Sequence, residues 1–140
     1  FNALDINLNN EKVVFPVINP SLVPEKSKAA MVEPGEYTNI YEDDQSVSLS
    51  LMNNTENQLA VPECSLVGID IYGDNMNASV NGIKIGSSIE DVKKAFGITD
   101  DIASDISSIY VDDSDGTFSS VSIGFEDGIV TNISLYCFDD

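Results

Sequence analysis

Hydrophobic and polar residues alternate along many short stretches of this chain, which predicts a protein built mainly from β-strands. In residues 46–51, Val47, Leu49 and Leu51 point one way and three serines point the other. This period of two is typical of a sheet with one buried and one solvated face. Further strands are predicted for residues 4–8, 12–15, 37–42, 64–72, 107–111, 118–125 and 129–138.

The stretch from Gly82 to Gly97 predicts a short strand followed by a helix, and it contains signals for both the start and the end of that helix. Ser87 and Glu90 have the spacing of a capping box, and Gly97 supplies the left-handed residue that ends a helix. The apolar stripe of this helix consists of Ile89, Val92, Ala95 and Phe96. A further helical turn is predicted to begin at Pro24, since proline is favoured in the first turn of a helix.

Turn residues and a faint internal repeat organise these elements. Asn9–Asn10 and Asp127–Gly128 predict tight hairpin turns, and the acidic stretch 73–81 predicts a linker or a long loop. The linker divides the chain into a β-rich half, 1–76, and a helix-plus-meander module, 77–140. Residues 40–44 and 46–49 of the first half resemble 109–113 and 120–123 of the second. The predicted fold class is therefore α+β: an antiparallel sheet with a helix packed on one face, as one unit or two in tandem.

The charge balance excludes whole classes of function. The 140 residues carry 24 acids and six lysines, a net charge of −18, with no histidine and no arginine. Such a chain repels phosphate backbones, so nucleic acid is not an expected partner. The absence of histidine removes the commonest general base and metal ligand. No stretch is long and apolar enough to span a bilayer, and a non-enzymatic role is expected.

The acidic turns are the first candidate for chemistry. Asp112–Gly116 would be part of an EF-hand loop only if an oxygen ligand stood at Val111 and a glutamate at Ser122, so that spacing fails. Adjacent acids such as Asp100–Asp101 lie in predicted turns and do not form the facing pair that glycoside cleavage needs. These acidic turns suggest an alternative function, a cation- or ligand-binding module in which the loops near Asp74, Asp112 and Asp115 bind calcium.

Tyrosines are the second candidate. Tyr41, Tyr72, Tyr110 and Tyr136 fall in or next to predicted strands, where an outward-facing set would suit a protein-binding surface. The competing interpretation is that they are ordinary strand formers with one half-covered face. No catalytic, cofactor-binding or metal-ligating residue is predicted.

Two features bear on cellular location. The chain begins at Phe1 without an initiator methionine, which is compatible with a removed signal peptide or lipid anchor. A disulfide between Cys64 and Cys137 would close a long loop and contribute about 4 kcal/mol. Cys137 has the same strand phase as Ile133 and Leu135, whereas Cys64 has the opposite phase to Val67, Ile69 and Ile71. This difference in phase favours two separate thiols.

The second half resembles a known module. The segment GIKIGSSIEDVKKAFG and, about twenty residues later, FSSVSIGFEDGIVTNISL are similar to β-lactamase-inhibitory-protein-like modules, which small lipoproteins of outer-membrane assembly share. The stretch VEPGEY at 32–37 is similar to one in secreted proteins and lipoproteins of Gram-positive bacteria. The resemblance implies an exported or surface-tethered protein that binds another protein through a sheet face or loops. It assigns no site residue, because its motifs specify caps and hairpins.

Overall fold

A computed structural model describes residues 5–40, 46–102, 106–113 and 118–138. The strands are β1 (Ile6–Leu8), β2 (Glu11–Val13), β3 (Met31–Val32), β4 (Tyr37–Ile40), β5 (Val47–Met52), β6 (Leu59–Ala60), β7 (Ser65–Ile71), β8 (Ser79–Val80), β9 (Ser108–Asp113), β10 (Phe118–Glu126) and β11 (Ile129–Phe138). The helices are α1 (Glu25–Lys28) and α2 (Ile89–Phe96), and single 3-10 turns occupy Pro20–Leu22 and Val61–Glu63.

One six-stranded sheet dominates the architecture, in the order β4-β5-β7-β11-β10-β9. Every neighbouring pair in it is antiparallel. A three-stranded sheet, β2-β1-β8, and a two-stranded sheet, β3-β6, complete the strands. The predicted antiparallel sheet is confirmed. The protein is more β-rich than the predicted α+β class, because its α-helices contain only four and eight residues.

The large sheet consists of two equivalent three-stranded meanders. In the first, β4-β5-β7, Ile40 lies opposite Leu49, which lies opposite Ile69. In the second, β9-β10-β11, the corresponding register is Ile109, Ile123 and Ile133. Both meanders also carry a β-bulge at the same place, with Val67 of β7 as the extra residue opposite Ser50–Leu51 and Thr131 of β11 as the extra residue opposite Gly124–Phe125.

The two meanders join through β7 and β11 with a register that preserves this equivalence. Ile69 lies opposite Leu135, and Ile71 lies opposite Ile133. Each residue of β7 has its counterpart in β11 64 positions later, so that Ile69 corresponds to Ile133 and Ile71 to Leu135. The pair Ile71–Ile133 is therefore the symmetry equivalent of the pair Ile69–Leu135. A local two-fold axis therefore passes through the sheet at the pair Asp70–Ser134. The repeat seen between 46–49 and 120–123 occupies equivalent positions of the two meanders.

The core lies on one side of this sheet. Alternate residues of the central strands are fully buried, among them Val47, Leu49, Leu51, Ile69, Ile71, Val121, Ile123, Ile133 and Leu135. The same cluster includes Ile6 and Leu8 of β1, Val80 of β8, and Ile89 and Val92 of α2. The three-stranded sheet and the helix thus share their apolar side chains with one face of the large sheet.

Helix α2 forms where predicted, but its cap lies one residue later. Ser88 accepts a hydrogen bond from the backbone N–H of Asp91 at 3.1 Å, and the Asp91 carboxylate accepts from the N–H of Ser88 at 3.3 Å. Ser87 instead accepts from the N–H of Lys84 and closes the preceding turn. The predicted Ser87–Glu90 box is therefore wrong, because Ser87 is occupied by that turn. Gly97 ends the helix with a φ of 67°, as predicted.

Ser88→Ala is expected to lower the free energy of unfolding by about 1 kcal/mol, because the Asp91 N–H loses its acceptor at the helix N terminus. Urea denaturation followed by circular dichroism measures the change. Glu90→Gln is the control, since Glu90 belongs to the box that the sequence predicted but not to the one that forms. A larger loss for Glu90→Gln than for Ser88→Ala would contradict the observed cap.

The stretch 73–81, predicted as a linker or a long loop, is a loop whose last part is a strand. Its end forms β8, which pairs with β1, and Met76, Ala78 and Val80 are buried. The backbone N–H of Asn9 donates to the carbonyl of Met76 at 2.7 Å. The strand predicted at 82–85 is instead a tight turn in which Ile83 bridges back to Val80. The division into 1–76 and 77–140 stays a prediction, and strands of both parts share the large sheet.

Cys64 shows the effect of a bulge on strand phase. Ser50 pairs with Gly68 and the next residue, Leu51, pairs with Leu66, so Val67 is an extra residue in β7. Residues before Val67 therefore point to the opposite face from the one that simple alternation would give them. Cys64 therefore shares the inward phase of Leu66 and is buried, and it is a free thiol. Burial, and then the nearby charge of Glu63, raise its pKa. The side chain of Cys137 lies outside the described residues.

Candidate functional site

The side of the large sheet opposite the core carries polar residues on all six strands. We call it the outer face and define it by Tyr37, Asn39, Ser48, Ser50, Gly68, Asp70, Tyr110, Ser122, Gly124, Asn132, Ser134 and Tyr136. Their phase follows from the cross-strand registers, in which Ser48, Asp70, Ser134, Ser122 and Tyr110 form one continuous row. Polar side chains thus continue across the sheet from β5 to β9.

Asp70 lies at the centre of the outer face, on the local two-fold axis, and two hydroxyl groups hold its carboxylate. The Ser134 hydroxyl donates to Oδ1 at 2.7 Å. The Tyr136 hydroxyl donates to Oδ2 at 2.8 Å. Because each oxygen accepts one charge-assisted hydrogen bond, the carboxylate has a defined orientation.

Gly68 makes room for this arrangement. Tyr136 lies directly opposite Gly68 in the β7–β11 pair, and its ring leans across β7 toward Asp70. A Cβ atom on Gly68 would lie 2.8 Å from both Cδ1 and Cε1 of the Tyr136 ring. That separation is well below van der Waals contact, so a residue with a side chain at 68 would displace the tyrosine.

The same contacts change the acidity of Tyr136. Burial, the hydrogen bond to Asp70 and the negative charge of Asp70 together raise the pKa of Tyr136 to about 12. The phenol therefore stays neutral and continues to donate to the carboxylate throughout the physiological range of pH.

Spectrophotometric titration is expected to show one tyrosine that ionises near pH 12, well above the usual value of about 10. Since the folded state favours the neutral phenol, this group contributes stability that is fully present below about pH 10 and is lost as the pH rises toward 12. Asp70→Asn removes the charge and should lower the pKa of Tyr136. If Tyr136→Phe left the late-titrating tyrosine in place, the assignment would be wrong.

Chemically, this cluster is a fixed acceptor. The carboxylate bonds to two hydroxyl donors and keeps lone pairs for further donors from outside. Ser134 has a carboxylate as its neighbour, and the chain contains no histidine that could activate it as a nucleophile. The geometry therefore suits recognition of a donor or cation.

The structure places three of the four tyrosines predicted as an interaction surface. Tyr110 is exposed on the edge strand β9, and Tyr72 is 42% exposed in the residue after β7. Tyr136 is half-buried on β11. Tyr41 lies outside the described residues. Tyr72 and Tyr136 correspond under the local two-fold axis, whereas Tyr110 lies three strands away from Asp70, so the tyrosines do not form one stripe.

Several residues of the outer face escaped the sequence prediction. Tyr37 is 63% exposed at the start of β4 and was not included. Asp70 and Ser134 were also missed, although an acid between Ile69 and Ile71 in a predicted strand was a usable signal. Their partnership was not predictable, because it joins residues 64 positions apart.

Two of the three acids of the alternative hypothesis, Asp74 and Asp112, lie far apart in the structure. Asp74 follows the Ile71 end of β7, whereas Asp112 pairs with Ser120 in the row of Gly68, toward the other end of the sheet. Three strand spacings separate β7 from β9, which amounts to about 14 Å. Asp115 lies outside the described residues. Among the residues with a described position, no three histidine, cysteine, aspartate or glutamate side chains come close enough to hold a metal ion.

Positive charge is absent from the six strands of the large sheet. None of the residues that form them is a lysine. The lysines are Lys12, Lys26, Lys28, Lys84, Lys93 and Lys94. The outer face therefore combines an oriented carboxylate with neutral hydroxyl and amide groups.

Two shallow depressions lie away from the outer face. One, of about 470 Å³, surrounds the C-terminal end of α2 between Glu90 and Thr99. The other, of about 440 Å³, lies between β1 and β8 and is lined by Asn7, Asn10, Asn77, Ser79, Gly82 and Lys84. Both are wide open. No buried side-chain polar atom among the described residues lacks a hydrogen-bond partner, so neither depression contains a buried polar group that is left for a ligand.

Comparison with known proteins finds no matching protein family, no similar curated protein and no similar solved structure. Within the described part of the chain, neither helix has the length and apolar character needed to cross a bilayer.

Proposed function

We propose that this is a non-catalytic binding protein whose outer face docks on another protein. The observation that carries the proposal is the composition of that face, whose defining residues are tyrosines, serines, asparagines and glycines around Asp70, with Asp112 in register on the edge strand β9. Tyrosine supplies large contact area at a low entropy cost, and serine and asparagine supply adaptable hydrogen bonds. Surfaces that do not bind are richer in lysine, which interfaces avoid and which these strands lack.

The rigidity of the sheet favours this use. The described inward side chains of the central strands lie in the core, and some outer side chains are held by hydrogen bonds such as Ser50 Oγ to Asn39 Oδ1 at 2.8 Å. A face that is ordered before binding loses less conformational entropy on association.

The resemblance supports the remaining parts of the proposal. Two equivalent meanders favour a duplicated, β-lactamase-inhibitory-protein-like architecture with α2 packed beside the sheet. Among the described residues of the first half, the α-helix that could correspond to α2 is the four-residue α1, which has no side-chain cap. Export or tethering at the cell surface, with a removed signal peptide or lipid anchor, follows from the same resemblance. The gene sequence upstream of Phe1 tests that part directly.

Site-specific photo-crosslinking tests the binding face. Benzoylphenylalanine at Ser122, between Ser134 and Tyr110 on the outer face, is expected to form a discrete adduct with one protein of the source organism. The same group at Thr99, which is exposed beyond the C terminus of α2, is the matched control. Adducts at Thr99 but none at Ser122 would sink the proposal, and so would a labelling pattern that is identical at both positions.

A further inference from the structure

We infer that the partner is a basic protein that places an arginine side chain against Asp70 and Tyr136. This inference rests on the proposed function, since it assigns the chemistry of the partner that the outer face binds. The occupied site would be the oriented carboxylate of Asp70 together with the neighbouring tyrosine ring.

The Asp70 carboxylate is prepared for such a group. Ser134 and Tyr136 each donate to a different oxygen, at 2.7 and 2.8 Å. Two hydroxyls occupy only part of the acceptor capacity, because an ionised carboxylate offers about four lone-pair sites. Asp70 is half-buried rather than enclosed, so a planar guanidinium can approach the remaining lone pairs from outside the sheet.

Tyr136 adds a second attraction for the same cation. Its hydroxyl is anchored to Asp70, so its ring is fixed beside the carboxylate with one side over Gly68. A guanidinium is attracted electrostatically to the face of an aromatic ring and also stacks on it. A pKa near 12 keeps the phenol protonated, so the anchor persists at neutral pH.

Charge complementarity selects a cationic occupant. The strands that form the outer face contain no lysine, and the chain as a whole has a net charge of −18. A charge of this size speeds the encounter with a basic partner and repels an acidic one.

A second copy of this chain does not meet the requirement. The sequence contains no arginine, and its six lysines lie outside the six strands of the large sheet. Two copies would also bring together two bodies of charge −18. The occupant is therefore a different protein.

The probe is N-acetyl-arginine amide, titrated into the ¹⁵N-labelled chain and followed by amide chemical shifts. N-acetyl-citrulline amide, which has the same shape without the charge, is the neutral control. We expect arginine-dependent shifts at Gly68, Asp70, Ser134 and Tyr136, with weak, saturable binding. Equal shifts with citrulline would overturn the inference, and so would shifts spread over acids elsewhere, such as Asp100 and Asp101.

Paired variants separate the site from general electrostatics. Asp70→Asn should weaken binding of the arginine probe about tenfold or more, because a charge-assisted contact is lost. Asp74→Asn removes the same charge from an exposed loop and should change the affinity less than twofold. Equal effects of the two variants overturn the inference. A lysine analogue that binds as tightly as arginine overturns the preference for a guanidinium.

Crosslinking distinguishes the failure of this inference from the failure of the proposed function. If the Ser122 adduct forms equally well in the Asp70→Asn variant, the outer face binds a protein without an arginine at Asp70. If no adduct forms from Ser122 in either background, the binding face itself is wrong.

Discussion

Leu135→Ala is expected to lower the free energy of unfolding by about 2–5 kcal/mol, the range for truncating a buried leucine. Leu135 is fully buried and lies opposite Ile69 where the two meanders join. Total stabilities of single domains are only about 5–15 kcal/mol, so this one change would remove a large share of the total. Urea denaturation measures it, with the exposed Thr131→Ala on the same strand as the control.

A double-mutant cycle with Ile69→Ala tests the joint between the meanders. Because the two side chains are direct cross-strand neighbours, their effects should not add, and the coupling should lie at about 0.5–3 kcal/mol. Additive effects would indicate that β7 and β11 are not paired in this register. In that case the local two-fold axis at Asp70–Ser134 would not exist.

Gly68→Ala is expected to destabilise the protein by about 1–3 kcal/mol, because the new methyl group overlaps the Tyr136 ring. The ring must move away from Asp70, so the pKa of Tyr136 should fall from about 12 toward its usual value. Urea denaturation and spectrophotometric titration measure the two effects on one sample.

Gly124→Ala is the matched control for that substitution. Gly124 is the counterpart of Ser50 in the second meander, and it lies opposite Asn132 on the same face. Its Cβ atom would meet only the Asn132 side-chain amide, which can rotate away. We expect a smaller loss of stability than for Gly68→Ala, because a rotation of this amide relieves the overlap at less cost than a displacement of the Tyr136 ring. A Gly124→Ala loss as large as that of Gly68→Ala would contradict a specific role for the Tyr136 ring.

The positions of most strands and of the main helix were predictable from the sequence. The alternation of Val47, Leu49 and Leu51 located β5, and the stripe of Ile89 and Val92 located α2. These signals suffice because a strand or a helix shows its own period in the side chains that it buries.

Phase errors arose where a neighbouring element interfered. The bulge at Val67 inverted the phase assigned to Cys64, and a turn from Lys84 removed Ser87 from the cap. Asn53 shows a different effect of tertiary structure. It lies in a polar segment of the sequence, but its side chain is fully buried. Its side-chain amide donates hydrogen bonds to the carbonyls of Val32 and Asn57. Val32 lies at the end of β3, far from Asn53 in sequence, so burial of this amide depends on the tertiary structure.

By itself, then, the sequence determined the local elements: most of the strands, two tight turns at Asn9–Asn10 and Asp127–Gly128, and one helix that ends at Gly97. Both turns have positive φ at their two central residues, as their composition requires. Only the tertiary structure decided that β7 and β11 are neighbours, and therefore that Asp70 lies between Ser134 and Tyr136. Pairing of distant strands depends on the register of the whole sheet, which no local pattern encodes. The outer face and its central carboxylate are products of that register.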